Sequence, residues 1–205
     1  MQQAFLILGW FKNYQLSIIN SSMHPKDLKD QLRQSVKERL ARMSQKDKDA
    51  ESRSLCKRII KKLPLPPLTV VAFMPMPNEV DIKPVIEHLL TNGYRVGLPR
   101  MEHQKLVFRS VAALTDLVPG ELFNVPEPKV SAPLLQQNEI DLALVPARAY
   151  ARNGDRMGRG NGGFDIWIRS QRMANRKTEF WGSSSSVSFS MRYRWRRMMR
   201  RWTLL

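Results

Sequence analysis

Two apolar runs limit what this chain can fold into. LTVVAFMP (68–75) is rich in apolar and β-branched residues and lies between prolines, and IDLALVP (140–146) ends on Pro146. Runs that are apolar on both alternations belong to strands covered on both faces, as in parallel sheets. Between them, DIKPVIEHLLTNG (81–93) reads as a helix closed by Gly93, YRVGLPR (94–100) as a second strand, and KLVFRSV (105–111) as its hairpin-like partner, followed by a loop through NVPEPKV (124–130). Strand, helix, strand at this spacing predicts an α/β fold: a single-domain, three-layer sheet with mostly parallel strands and flanking helices. Ligands should then bind at the carboxyl ends of the strands.

Two helices are expected before the first strand. Leu28, Leu32, Val36 and Leu40 recur at a four-residue step, which puts one apolar stripe toward a core. A second helix is expected from Asp47 to Lys62, stopped by LPLPP. Residues 1–22 show no clean period and precede a second methionine, Met23, so they read as an extension and leave two start sites open. The domain is expected to span 23–182, with 183–205 as a basic, disordered tail.

With 205 residues, 42% of them hydrophobic, the chain has one domain's worth of core and no apolar run long enough to cross a bilayer. The apolar opening AFLILGW has no basic residues before it and no small-residue cleavage site after it, so no signal peptide is expected. A single cysteine, Cys56, excludes an internal disulfide and fits a reducing, cytoplasmic location; its apolar neighbours predict a buried, inert thiol. A net charge of +16 points to anionic partners. In Lys26 to Lys62, however, thirteen basic residues alternate with six acidic ones, as on a solvated amphipathic helix rather than a nucleic-acid surface.

Just past the second apolar run lies NGDRMGRGNGGFD (153–165), with five glycines. Glycines let backbone N–H groups approach a ligand that side chains would block. Such amides form a nest for phosphate oxygens, Arg156 and Arg159 add charge-assisted donors, and FDIWIRSQRM behind them starts a helix whose N-terminus favours anions. Asp165 could hold a magnesium ion through a phosphate oxygen. The competing reading is a surface loop with Asp165 as a plain N-cap. The spacing fits neither a P-loop nor a dinucleotide-binding fingerprint.

Residue by residue, the segment resembles the signature G-x-R-[LM]-G-x-G-x-G-[YF]-[YF]-D of the 5-formyltetrahydrofolate cyclo-ligase family. KDQLRQSVKERLARMS, AFMPMPNEVD, GYRVGLPRM, FNVPEP and IDLALVP resemble further segments of that family in the same order, over about Lys26 to Gly182. The resemblance implies ATP-dependent conversion of 5-formyltetrahydrofolate to 5,10-methenyltetrahydrofolate, with ATP as co-substrate and Mg2+ as cofactor. It implies Lys29, Arg33, Arg156, Met157, Gly158, Arg159, Gly160, Asn161, Gly162, Gly163 and Phe164 as ATP-binding residues, with Arg156 also catalytic. Met74 and Glu79 would line the folate site, and Asp165 would bind the metal. Folate and ATP are then the partners of a monomer, with no membrane or nucleic-acid partner.

The chain departs from the family pattern at several points. Gly163 replaces the first of two adjacent aromatics, Asn161 stands where relatives have glycine or lysine, and PARAYA replaces P-G-x-[AG]-F-D, with Ala147 for glycine and Ala151 for aspartate. The family's closing segment, P-x-x-x-H-D-x-x-V-D, is missing; Ser183 to Leu205 carries six arginines and no acid. Back-translation of Met191 to Thr203 with CGN arginine codons, read one base earlier, allows Ala-Ile-Pro-Val-Ala-Pro-His-Asp-Ala-Pro-Val-Asp, with both aspartates forced. The tail therefore reads as a shifted frame. Three classes follow: an ATP-dependent folate enzyme, an inactive relative of one, and a basic nucleic-acid-binding protein.

Overall fold

The computed structural model describes residues 25–77, 79–120, 124–150, 156–183 and 203–204, with backbone alone at 25, 26, 28, 29, 203 and 204. Two helices come first, α1 (Pro25–Arg42) and α2 (Gln45–Lys62). Ser44 caps α2 by accepting from the Asp47 N–H, so this helix begins two residues before the Asp47 expected from sequence. β1 (Thr69–Val71), α3 (Lys83–Thr91), β2 (Arg95–Glu102) and β3 (Lys105–Val111) follow. Beyond them lie the short pair β4 (Val118–Pro119) and β5 (Pro126–Glu127), then β6 (Leu142–Pro146), β7 (Ala149–Tyr150) and β8 (Arg156–Met157). The described chain ends with α4 (Gly163–Ala174), β9 (Glu179–Ser183) and β10 (Thr203–Leu204).

Six strands form one sheet in the order β10, β9, β6, β1, β2, β3. All neighbours are parallel except β2 and β3, which form the expected antiparallel hairpin. The alternation along each strand divides the core into layers. Val70, Leu142, Leu144 and Trp181 point to one face and pack with Leu55 and Ile59 of α2 and Val85, Ile86 and Leu89 of α3. Val71, Ala143, Val145 and Phe180 point to the other and pack with Trp167 and Ile168 of α4. The result is an α/β three-layer fold, as expected. The α1 stripe of Leu32, Val36 and Leu40 packs against Ala149 and Met157, so α1 is seated on the β7–β8 hairpin; the Leu28 side chain lies outside the described residues.

Two strands of the main sheet escaped the sequence reading, as did the short pairs β4–β5 and β7–β8. β9 pairs along its whole length with β6, from Leu142 opposite Glu179 to Pro146 opposite Ser183, so the sheet includes a residue assigned to the tail. The tail was also expected to add no strand, and this is corrected at two residues: Thr203 and Leu204 pair in parallel with Trp181 and Gly182. Residues 1–24, 184–202 and 205 lie outside the described set, and with them most of the extension and tail. Among the described residues, no helix is long and apolar enough to cross a membrane.

Candidate active site around the glycine segment

The chain leaves the carboxyl end of β6 at Pro146 and enters the β7–β8 hairpin. Ala149 pairs with Met157, Tyr150 pairs with Arg156, and the Arg148 N–H donates to the Met157 carbonyl at 2.8 Å. This pairing holds Arg156 and Met157 beside the end of β6. Tyr150 anchors the hairpin: its hydroxyl donates to the Val145 carbonyl at 2.9 Å, and full burial pushes the phenol pKa well up, so it stays neutral.

Arg156 closes this turn from inside. Its side chain is only 3% exposed; Nη1 donates to the Pro146 carbonyl at 2.8 Å and Nη2 pairs with Asp165. One guanidinium thus ties the end of β6 to the first turn of α4. Gly158 leaves room for it, since a Cβ there would lie 3.2 Å from Nη2. Gly160 and Gly162 have φ of +110° and +75°, a region costly for other residues, and Gly162 is the N-cap of α4. Asp165 is therefore not the N-cap that one reading made it; it sits in the first turn. Among the described residues no side chain caps α4, so its leading N–H groups have no side-chain acceptor there.

Two distant elements meet the segment. From α1, Arg33 donates through Nε to the Gly158 carbonyl at 3.2 Å and pairs through Nη1 with Asp30 at 2.6 Å. From the loop after β1, Glu79 accepts from Arg159 Nε at 2.8 Å through Oε1 and from the Met76 N–H at 3.1 Å through Oε2. The structure thus brings together Arg33, Glu79, Arg156, Arg159 and Asp165. Lys29 lies one turn before Arg33 on α1, with its side chain outside the described residues. Met157 packs toward α1, Asn161 is exposed, Gly163 faces open space, and Phe164 meets Phe108 and Trp167 edge-on, each at 6.3 Å.

Met74, implied by the resemblance to line the folate site, packs in the core. It is 6% exposed and belongs to the cluster that packs with α2 and α3. Sequence reasoning missed Arg148, whose Nη1 is fully buried without a partner among the described residues. The available signal was an arginine directly after a strand end, within PARAYA. Among the described residues, no group of three His, Cys, Asp or Glu side chains could hold a metal. The shallow concavity along α1, lined by Asp27, Asp30 and Glu38, is acidic and unsuited to phosphate.

Known proteins agree with this architecture. The solved 5,10-methenyltetrahydrofolate synthetase of Aquifex aeolicus superposes with a TM-score of 0.69 at 24% identity, over 82% of this chain and 84% of its own. That of Mycoplasma pneumoniae gives 0.64 at 17%, over 82% and 92%. At these identities the likeness concerns the fold. The 5-formyltetrahydrofolate cyclo-ligase of Escherichia coli (strain K12) is 30% identical over 106 residues, half of this chain, and the match spans 58% of the bacterial protein's length. The protein of that name from Mus musculus is 24% identical over 146 residues, 67% of this chain and 72% of its own. The model of the 5-formyltetrahydrofolate cyclo-ligase family matches residues 25–185, from α1 through β9, and the chain belongs to that family.

Proposed function

We propose that the protein converts 5-formyltetrahydrofolate to 5,10-methenyltetrahydrofolate at the expense of ATP, releasing ADP and phosphate. The observation that carries this reading is the convergence of Arg33 and Glu79 on the glycine segment from two separate elements. It gives one cleft a phosphate-binding side next to a carboxylate able to accept from an N–H edge of a pterin. The formyl oxygen attacks the γ-phosphorus, the bond to ADP breaks, and N10 then adds to the formyl carbon and loses its proton as phosphate leaves. Chemistry of this kind asks a protein mainly for positioning and charge neutralisation.

The residues fit those tasks. Arg33, Arg159 and the first-turn amides of α4 would hold the triphosphate, with Lys29 on the same face of α1 as Arg33. Arg156 would fix the geometry of the segment and direct Nε toward the phosphates. Glu79 would orient the pterin. Asp165 offers a single carboxylate, one oxygen of which already accepts from Arg156, a donor set that suits magnesium only when phosphate oxygens complete its coordination. The ion would supply charge neutralisation at those oxygens. A cytoplasmic monomer is part of the proposal, and there Cys56, buried and with its thiol pKa raised mainly by burial, would stay a thiol.

The test is Arg156→Ala, read by calorimetric titration with Mg-ATP beside a thermal melt. Loss of a charge-assisted bond should weaken binding by about 1.5 to 3 kcal/mol, about 10- to 150-fold. Unchanged ATP affinity in a folded variant would refute the assignment.

A further inference from the structure

Three arginines stand on the β7–β8 hairpin and the loop behind it, and each leaves one fully buried nitrogen without a partner among the described residues: Arg148 Nη1, Arg156 Nε and Arg159 Nη2. The Arg156 side chain is buried, with 3% of it exposed, while Arg148 and Arg159 are half-buried, so the cluster runs from the interior to the surface. Among the described residues, two carboxylates answer the three cations. Asp165 takes Arg156, and Glu79 takes Arg159. Arg148 has neither a carboxylate nor a carbonyl for its guanidinium among the described residues. Its charged neighbours are Arg159, which repels it, and Glu79, which attracts it; with burial as the larger cause, its pKa is lowered, yet a guanidinium keeps its proton. Arg148 is half-buried, its Nη1 is enclosed without an acceptor among the described residues, and its nearby carboxylate is already taken by Arg159, so an arriving anion would be favoured there.

We propose that Arg148 is a phosphoryl-contacting residue of this chain, offering its guanidinium to the phosphate that passes from nucleotide to folate. The inference rests on the function proposed above and adds a residue to it. Arg148 is within electrostatic reach of both members of the Arg159–Glu79 pair, which joins the proposed nucleotide side to the proposed pterin side, and the transferred group must sit beside that junction. The multiply charged phosphoryl group matches an unpaired arginine better than the folate carboxylates do, because those are at the opposite end of the substrate from the pterin. The residue is also pinned for the task, since its backbone N–H is fixed to the Met157 carbonyl at 2.8 Å.

The experiment titrates ATP and ADP separately into the full-length protein, Arg148→Leu, Arg148→Lys and Arg156→Ala, without folate so that nothing turns over. Arg148→Leu should weaken ATP about tenfold or more and change ADP less than about twofold, with Arg148→Lys between. The free Arg148→Leu protein should melt no lower than the parent, because this guanidinium gives up no hydrogen bond to a described residue; a merely structural arginine would lower the melting temperature. Equal effects on ATP and ADP, or no effect on either, would overturn the inference. If Arg156→Ala loses ATP while Arg148→Leu keeps it, Arg148 alone is misassigned. If the unaltered protein binds no ATP, the function itself is. Should Arg148→Leu fail to fold, the ATP-to-ADP ratio of Arg148→Lys decides: a ratio equal to the parent's sinks the proposal.

Discussion

Arg159 and Glu79, eighty residues apart in sequence, meet at 2.8 Å, and the second oxygen of the same carboxylate accepts from the Met76 N–H. The Glu79 side chain is only 10% exposed, so the pair lies where charge is weakly screened. It fastens the glycine segment to the loop after β1, and with it the proposed nucleotide side of the cleft to the proposed folate side.

Glu79→Gln keeps the shape of this link and removes its charge. The amide still accepts from Arg159 but binds a pterin N–H edge less well, since hydrogen bonds to charged groups are the stronger ones. The KM for 5-formyltetrahydrofolate should rise roughly tenfold, with that for ATP changing less than about threefold. Steady-state assays with each substrate varied in turn check this, and an equal rise in both would mean the loop had been displaced.

At Gly163, restoring an aromatic tests which way the first turn of α4 faces. A Cβ there meets nothing within 4 Å, and the backbone is not left-handed, so Gly163→Phe should fold normally and gain a few tenths of a kcal/mol in helix propensity. The ring would supply the apolar contact that family members place there, and 5-formyltetrahydrofolate should bind roughly three- to tenfold tighter by calorimetry, an aromatic contact's worth. Unchanged affinity would show that the position looks away from the folate.

Away from the site, Glu102 accepts from Arg109 through both oxygens, at 2.6 and 3.1 Å, with Arg100 at 3.5 Å. Hydrogen bonding from Arg109 holds this carboxyl below the ordinary glutamate range, against the opposing effect of burial. A depressed folded pKa means that the stabilisation is fully present above the unfolded value of about 4.3 and is lost as pH falls through the lower folded value. Glu102→Gln should therefore be less stable than the parent at pH 7 by roughly 1 kcal/mol, with the gap closing under strongly acidic conditions. Urea unfolding across that pH range measures it; a constant gap would exclude the ion pair as its source.

The arginine-rich tail leaves Asp165 as the carboxylate available to a phosphate-bound cation among the described residues. A chain whose frame is restored after about Gly182 regains two aspartates, and it should form methenyltetrahydrofolate at least tenfold faster than the chain as it stands, because a second carboxylate improves charge neutralisation. Absorbance assays at equal folded concentration decide it. Equal rates would make the tail a working replacement.

Sequence by itself determined the layers. Val70 and Val71, or Leu144 and Val145, are adjacent apolar residues that a strand must send to opposite faces, and a strand covered on both faces needs helices on both. The place of the glycine segment, just beyond β6, was equally legible, as was the Lys29–Arg33 spacing on one helical face. β9 was not, because EFWGS is short, contains no β-branched residue and includes Gly182, so its pairing with β6 gives it its conformation. Met74, which the family resemblance put at the folate site, is buried in the core between the sheet, α2 and α3, a packing that its sequence neighbours do not reveal.

Only the tertiary structure decided what each charge in the site faces. Arg33 reaches Gly158 across 125 residues and Arg159 reaches Glu79 across eighty, while Arg156 turns inward to Pro146 and Asp165 and Arg148 is left without a partner among the described residues. Local periodicity encodes which face of an element is buried, because burial depends on the nearest few residues. The partner of a guanidinium depends on where β6, α1 and the loop after β1 come to rest against one another, and that is set by packing of the whole core.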